Sequence, residues 1–209
     1  MIKIAFIGAG SVRYTLKLVS DIAKSPDLWG SLISLMDIDE RRLKAVHSLS
    51  KRCADELGAS LDFETHVNLE DSLKDADFVI NTALARGSGH EDGYVQYEKM
   101  RKIASKHGYY RGIDAQNFNM VSDYLTFSNY NQLKLALDIA KSVEEICPEA
   151  WILNTSNPVF EITQLINRET NAKILGLCHG AYEAEKIFDA LNLESSKVDW
   201  QVAGVNHGI

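Results

Sequence analysis

The 209-residue chain carries 29 acidic against 22 basic side chains, a net charge of −7, and 45% hydrophobic residues. That balance fits a soluble domain with a core of its own and excludes a nucleic-acid backbone binder, which needs a basic face. Apolar runs fall short of the ~18 residues a membrane span requires, and no charged leader precedes an apolar core, so a cytoplasmic protein is expected. Three cysteines, Cys53, Cys147 and Cys178, make an odd count without framework spacing, so no disulfide scaffold is expected. Cys53 and Cys147 lie in helical patterns and read as buried thiols.

Short apolar runs alternate with longer helical patterns from end to end. In chain order the reading is a strand at 2–7, a helix at 12–24, strand 32–36, helix 40–57, strand 61–65, helix 69–74 and strand 78–81. After an irregular stretch come helix 117–146, strand 150–153, helix 159–168, strand 173–178, helix 182–191 and strand 200–205. Strands this apolar, separated by helices, predict a mostly parallel sheet covered on both faces, an α/β Rossmann-like fold. Asp37 to Glu40 offers acidic side chains for a helix start, and Pro158 suits a first helical turn, where its missing N–H is tolerated. Residues 86–119 are rich in Gly, His, Tyr and Arg with weak periodicity, the profile of a functional loop. The abrupt end, Gly204-Val205-Asn206-His207-Gly208-Ile209, reads as a cut inside a larger protein.

The first strand runs straight into Gly8-Ala9-Gly10-Ser11. Glycine at a strand–helix turn permits the tight bend and lets a pyrophosphate approach the helix N–H groups. The third glycine of the usual fingerprint is replaced by Arg13, so the motif is degenerate, and a tight turn without a ligand is the alternative. Asp37 closes the second strand, where a carboxylate accepts both ribose hydroxyls of NAD and repels a 2′-phosphate; Asp39 is placed to do the same or to cap the next helix. Asn154-Thr155-Ser156-Asn157-Pro158-Val159 follows a strand and belongs at the carboxyl edge of the sheet beside the cofactor, with a capped turn as the alternative.

Cys178 ends a predicted strand and His207 follows another, at the same edge as the glycine turn. A thiolate and an imidazole suit a borderline-soft divalent ion and leave positions open for substrate oxygens. Taken alone, the two residues are better accounted for by a buried Cys and a core His than by a metal site.

GAGS near the start, RGID at 111–114, NTSNPVFEI, GLCHG and DWQVAGVNHGI together resemble glycoside hydrolase family 4, across the whole chain and in order. The resemblance implies a lactate/malate-dehydrogenase-like fold, NAD and Mn²⁺ (or another divalent metal) as cofactors, and a homo-oligomer when full length. Residues 1–209 would then be the NAD-binding domain with the start of the catalytic region, the remainder lying outside this chain. His179 after Cys178 resembles the α-glucosidase/α-glucuronidase branch, since the 6-phospho branch typically has Asp there.

Carried over by motif, Cys178 and His207 are metal ligands, Asn157 binds substrate and Asn154 touches cofactor or sugar. Asp114 supports the catalytic base, His179 is the candidate general acid or a residue that only orients Cys178, and Arg86 (with Arg111) is a cationic substrate candidate. Gly8, Gly10, Ser11 and Asp37 hold the cofactor. The family's base, a Tyr, lies beyond this C-terminus, and Tyr109 and Tyr110 do not fill that role. The implied reaction hydrolyses an α-glycosidic bond by oxidation at C3, loss of the C2 proton with elimination, addition of water and return of the hydride, rather than with two carboxylates.

Two other readings compete. A 2-hydroxy-acid dehydrogenase also carries Asn-Pro-Val, but the stretch from Phe160 to Gln164 lacks the Asp-x-x-Arg pair such an enzyme uses. A non-catalytic nucleotide-binding domain is the other.

Overall fold

The computed structural model describes residues 1–85, 130–178 and 182–201, with positions 99, 102–103 and 106–107. Six strands, β1 (Lys3–Ile7), β2 (Leu32–Met36), β3 (Asp62–His66), β4 (Phe78–Asn81), β5 (Trp151–Asn154) and β6 (Lys173–Gly176), form one sheet in the order β3-β2-β1-β4-β5-β6. Every pairing is parallel. The chain steps outward from β1 through β2 to β3 and then returns to β4 on the opposite side of β1. Reversal of strand order at β1/β4 makes a doubly wound sheet with a crevice at the carboxyl ends of those two strands, where such folds bind ligands.

Helices α1 (Val12–Ala23), α2 (Glu40–Glu56), α3 (Leu69–Leu73), α4 (Tyr130–Ile146), α5 (Val159–Glu169) and α6 (Tyr182–Ala190) follow the strands. Thr15, Val19, Ile22 and Ala23 form the buried stripe of α1, and Leu43, Val46, Ser50 and Ala54 that of α2, the three-to-four-residue spacing of one helix face. These stripes pack with Ile4, Phe6, Ile33 and Leu35 on one side of the sheet. On the other, Leu73 of α3, Ala136, Ile139, Ala140 and Val143 of α4, and Ile162 and Ile166 of α5 cover Ala5, Ile7, Val79 and Ile152. All five residues of β1 are buried, as a central strand between two helical layers requires.

Among the described residues the sheet is less covered at β6. Leu175 and Leu177 are half-exposed, as is Trp151 on β5.

Predicted and observed elements differ mainly at their ends. β6 stops at Gly176, so Cys178 lies two residues past the strand instead of ending it. Pro158 is the N-cap of α5 and not its first helical residue. Residues 117–129 and 202–205, predicted as helix and strand, lie outside the described residues, and Trp200 and Gln201 are not in a strand. Cys147 is buried as expected, Cys53 only half-buried, and the three thiols form no disulfide.

Candidate dinucleotide and metal site

The glycine turn leaves β1 through Gly8, whose φ of +88° lies in the left-handed region, where only glycine is unstrained. Gly8 and Ala9 both donate to the Met36 carbonyl, at 3.0 and 2.9 Å, which ties the turn to the end of β2. A side chain on Gly8 would also collide with neighbouring backbone: its Cβ would lie 2.6 Å from the Ala83 Cα. Two independent constraints therefore demand glycine here.

Asp37, the residue after β2, directs its carboxylate back at this turn. Oδ2 accepts from the Gly10 N–H at 2.7 Å and Oδ1 from the Asp39 N–H at 2.9 Å. A Cβ on Gly10 would sit 2.6 Å from Oδ2, so a side chain there would push the Asp37 carboxylate aside. Asp39 takes the other role open to it and caps α2, accepting from the Arg42 N–H at 3.0 Å.

Helix starts along this edge differ in charge. Helix α2 begins with the Asp39 cap and Glu40, and α3 with the Asn68 cap, Glu70 and Asp71. Helix α1 has no acidic residue in its first turn, and Ser11 occupies the N-cap position without a side-chain capping bond. Its first-turn N–H groups and the positive end of its dipole therefore stand open at the β1/β4 crevice, the arrangement that binds a phosphate group. The residues present fit a dinucleotide's pyrophosphate at Gly8–Ser11 and its ribose at Asp37.

The opposite wall of the crevice is residues 82–85, the extension of β4. Thr82 donates from Oγ1 to the carbonyls of Ile7 and Gly8, at 3.0 and 3.2 Å. Beneath it β4 and β5 end in paired asparagines: Asn81 and Asn154 are in register, and Asn81 Nδ2 donates to Asn154 Oδ1 at 3.0 Å. Asn154 is fully buried and spends its own Nδ2–H on the Ser156 carbonyl at 3.1 Å. The structure thus places Asn154 under the edge, where its carboxamide is held by protein groups.

Asn157 is exposed beyond β5, and the peptide joining it to Pro158 is cis. Cys178 is half-buried and lines a shallow groove with Val159, Phe160, Thr163 and Gly176. The groove exists because Gly176 has no side chain: a Cβ there would run into Thr163 and Val159 of α5. Asn157 and Cys178 share the carboxyl edge of the sheet with the glycine turn. Arg86, Asp114, His179 and His207 lie outside the described residues. Among the described residues no cluster of three His, Cys, Asp or Glu side chains forms a metal site, so Cys178 is the one proposed ligand whose position is given.

Sequence reasoning missed Asn81, Thr82, Gln132 and Ser156, all of which hold this edge. One signal was available: the neighbouring strands β4 and β5, Phe78-Val79-Ile80-Asn81 and Trp151-Ile152-Leu153-Asn154, both end an apolar run in Asn.

A doubly wound parallel sheet with a glycine turn at its switch point defines a Rossmann-like α/β domain. The family 4 glycosyl hydrolase model matches residues 3–193, and the chain belongs to that family. It is 31% identical to an α-galactosidase of Bacillus subtilis (strain 168), over 99% of this chain and 46% of that protein. A probable 6-phospho-β-glucosidase of the same strain is 32% identical over 99% of this chain and 45% of its own length. The chain therefore spans less than half the length of these curated relatives. In structure it resembles a 6-phospho-α-glucosidase from gut microorganisms solved in complex with NAD and Mn²⁺. The TM-score is 0.73 and the identity 21%, over 95% of this chain and 43% of the other. The same fold recurs in Cryptosporidium parvum malate dehydrogenase, with a TM-score of 0.60 and 19% identity over 93% of this chain and 52% of that enzyme. The expected lactate/malate-dehydrogenase-like architecture is the one observed.

Proposed function

We propose that the chain is the cofactor-binding half of an NAD- and divalent-metal-dependent glycosidase acting on α-glucosides or α-glucuronides. The observation that carries this reading is the open N-terminus of α1 beside the Asp37 carboxylate, on the same sheet edge as Cys178. When bound, NAD would supply a hydride acceptor that is also the later donor, and a divalent ion such as Mn²⁺ would supply a Lewis acid.

The residues divide the work. Gly8, Gly10 and Ser11 receive the pyrophosphate at the α1 terminus, and Asp37 receives the adenosine ribose and repels a 2′-phosphate. Cys178 and His207 hold the metal, the thiolate supplying a soft anionic ligand. Asn157, on the exposed lip, and Arg86 bind the substrate. His179 protonates the departing aglycone oxygen, and Asp114 supports a base contributed from outside this chain.

His179 after the metal-binding Cys supports a non-phosphorylated α-glycoside, although the curated relatives include both α and β enzymes. A reducing, cytoplasmic setting agrees with three thiols in no disulfide, and a homo-oligomer belongs to the same reading. Among the described residues no helix is long and apolar enough to cross a membrane.

The test is hydrolysis of p-nitrophenyl α-glucoside and α-glucuronide by the full-length protein with NAD⁺, Mn²⁺ and reductant, each omitted in turn. Hydrolysis that needs all three supports the reading and selects the sugar. NADH formation from a 2-hydroxy acid without metal, and no hydrolysis, would replace it with a dehydrogenase.

A further inference from the structure

Residues 82–85 continue β4 beyond its last paired residue, and their backbone is the surface against which Gly8 rests. Among the described residues no strand pairs with 83–85; a side chain takes that place. Gln132, at the start of α4 and 1% exposed, donates from Nε2 to the Ala83 carbonyl at 2.9 Å and accepts at Oε1 from the Ala85 N–H at 2.8 Å. Bonding one residue's C=O and the N–H two positions on is what a residue of a parallel neighbouring strand does. The carboxamide of Gln132 thus substitutes for one peptide of a neighbouring strand beyond the end of the ladder.

Asn81 and Ser156 secure the same segment. Asn81 Oδ1 accepts from the Ala83 N–H at 3.1 Å, and Ser156 Oγ donates to the Ala83 carbonyl at 2.9 Å. Asn81 is itself oriented by its bond to Asn154. The Ala83 peptide is therefore gripped on both its N–H and its C=O by buried side chains from three elements. A displacement of Ala83 is coupled to the glycine turn through the preceding residue, since Thr82 donates from its N–H to the Ile7 carbonyl and from Oγ1 to the Ile7 and Gly8 carbonyls.

We propose that Gln132 and the Asn81–Asn154 pair are positioning residues for the dinucleotide, setting the separation between residues 82–85 and the Gly8 turn without touching the ligand. This rests on the proposed NAD binding. It also reassigns Asn154 from contacting cofactor to holding the floor on which the cofactor lies.

The test compares full-length wild type with Gln132→Met, which keeps length and volume, with Asn81→Ala, and with Ile166→Val. The last is a control in the core under α5, away from the crevice. NAD⁺ affinity is measured by calorimetric titration, and the unfolding midpoint is measured without ligand. The proposal predicts that Gln132→Met and Asn81→Ala each raise the NAD⁺ Kd about tenfold. Ile166→Val should lower the midpoint but leave Kd within about twofold of wild type. A lowered midpoint with unchanged Kd in both network variants would overturn the proposal, leaving the network merely structural. Should Gln132→Met not fold, Asn81→Ala decides the matter alone. Failure of wild type to bind NAD⁺ would instead overturn the functional reading, and the proposal with it.

Discussion

The Gly10 N–H and the Asp37 carboxylate meet at 2.7 Å, and a methyl group on Gly10 would lie 2.6 Å from the same oxygen. A side chain at the second glycine of the fingerprint would therefore displace a protein carboxylate. The two positions, 27 residues apart in sequence, form one unit. Replacing Gly10 with Ala should push Asp37 off its bond and raise the NAD⁺ Kd by about tenfold or more. Asp37→Ser should narrow the preference for NAD⁺ over NADP⁺, because the charge that repels a 2′-phosphate is gone. Titration of both nucleotides into each variant checks the pair.

Gly8→Ala should be worse than Gly10→Ala. It combines a positive φ with a collision against backbone that has no rotamer to change. A loss of about 2 kcal/mol or more of stability is expected, together with NAD⁺ binding. Denaturant unfolding of the variant against wild type measures it.

Cys178→Ser removes the sulfur proposed as a metal ligand while leaving the glycine turn and Asp37 untouched. Metal-dependent hydrolysis should fall at least tenfold, roughly the cost of damaging a metal site, with NAD⁺ affinity unchanged. Oxidants should abolish wild-type activity, and reductant should protect it. Parallel loss of NAD⁺ binding in Cys178→Ser would remove Cys178 from the metal site.

A charged cluster away from the crevice sets part of the acid stability. Lys3 Nζ lies 2.7 Å from Glu64 Oε1, and His66 Nε2 lies 3.1 Å from that oxygen. Burial raises the Glu64 pKa, but the Lys3 ammonium beside it, together with the neighbouring polar groups of Ser34 and His66, outweighs burial and holds the carboxyl below its ordinary value of 4.5. A carboxylate whose pKa is depressed on folding adds stability above its unfolded pKa and loses it as pH falls through the folded one. Glu64→Gln should therefore destabilise the protein at neutral pH by up to about 1 kcal/mol, the pair being partly exposed. The difference from wild type should shrink below pH 4.5. Unfolding midpoints taken across that range test the sign.

The sheet was legible because its strands are apolar and its helices amphipathic. The five-residue runs at β1 and β2 are core on both faces; on α2 the apolar spacing Leu43, Val46, Leu49, Cys53 located the face only in part, since Ser50 and Ala54, not Leu49 and Cys53, are the buried residues that complete it. Gly8 and Asp37 were legible because backbone geometry at a strand–helix turn restricts residue type. The Asn81–Asn154–Gln132 network was not. Periodicity assigns buried positions to apolar residues, and Gln132 is a polar residue occupying a core position of α4, 49 positions from the carbonyl it binds. Asn154 was legible as a site residue, but burial decides what it touches. Sequence alone does not distinguish a carboxamide that faces a ligand from one that faces its neighbour strand.

The most direct test of the proposed chemistry is hydrolysis of the accepted α-glycoside by the full-length enzyme in D₂O, with the released sugar examined by proton NMR. Loss of the C2 proton before departure of the aglycone, followed by addition of water, predicts deuterium at C2 of the product. A product that keeps its original hydrogen at C2 would mean direct displacement at the anomeric carbon, and would contradict the redox-assisted route that this NAD-binding edge is proposed to serve.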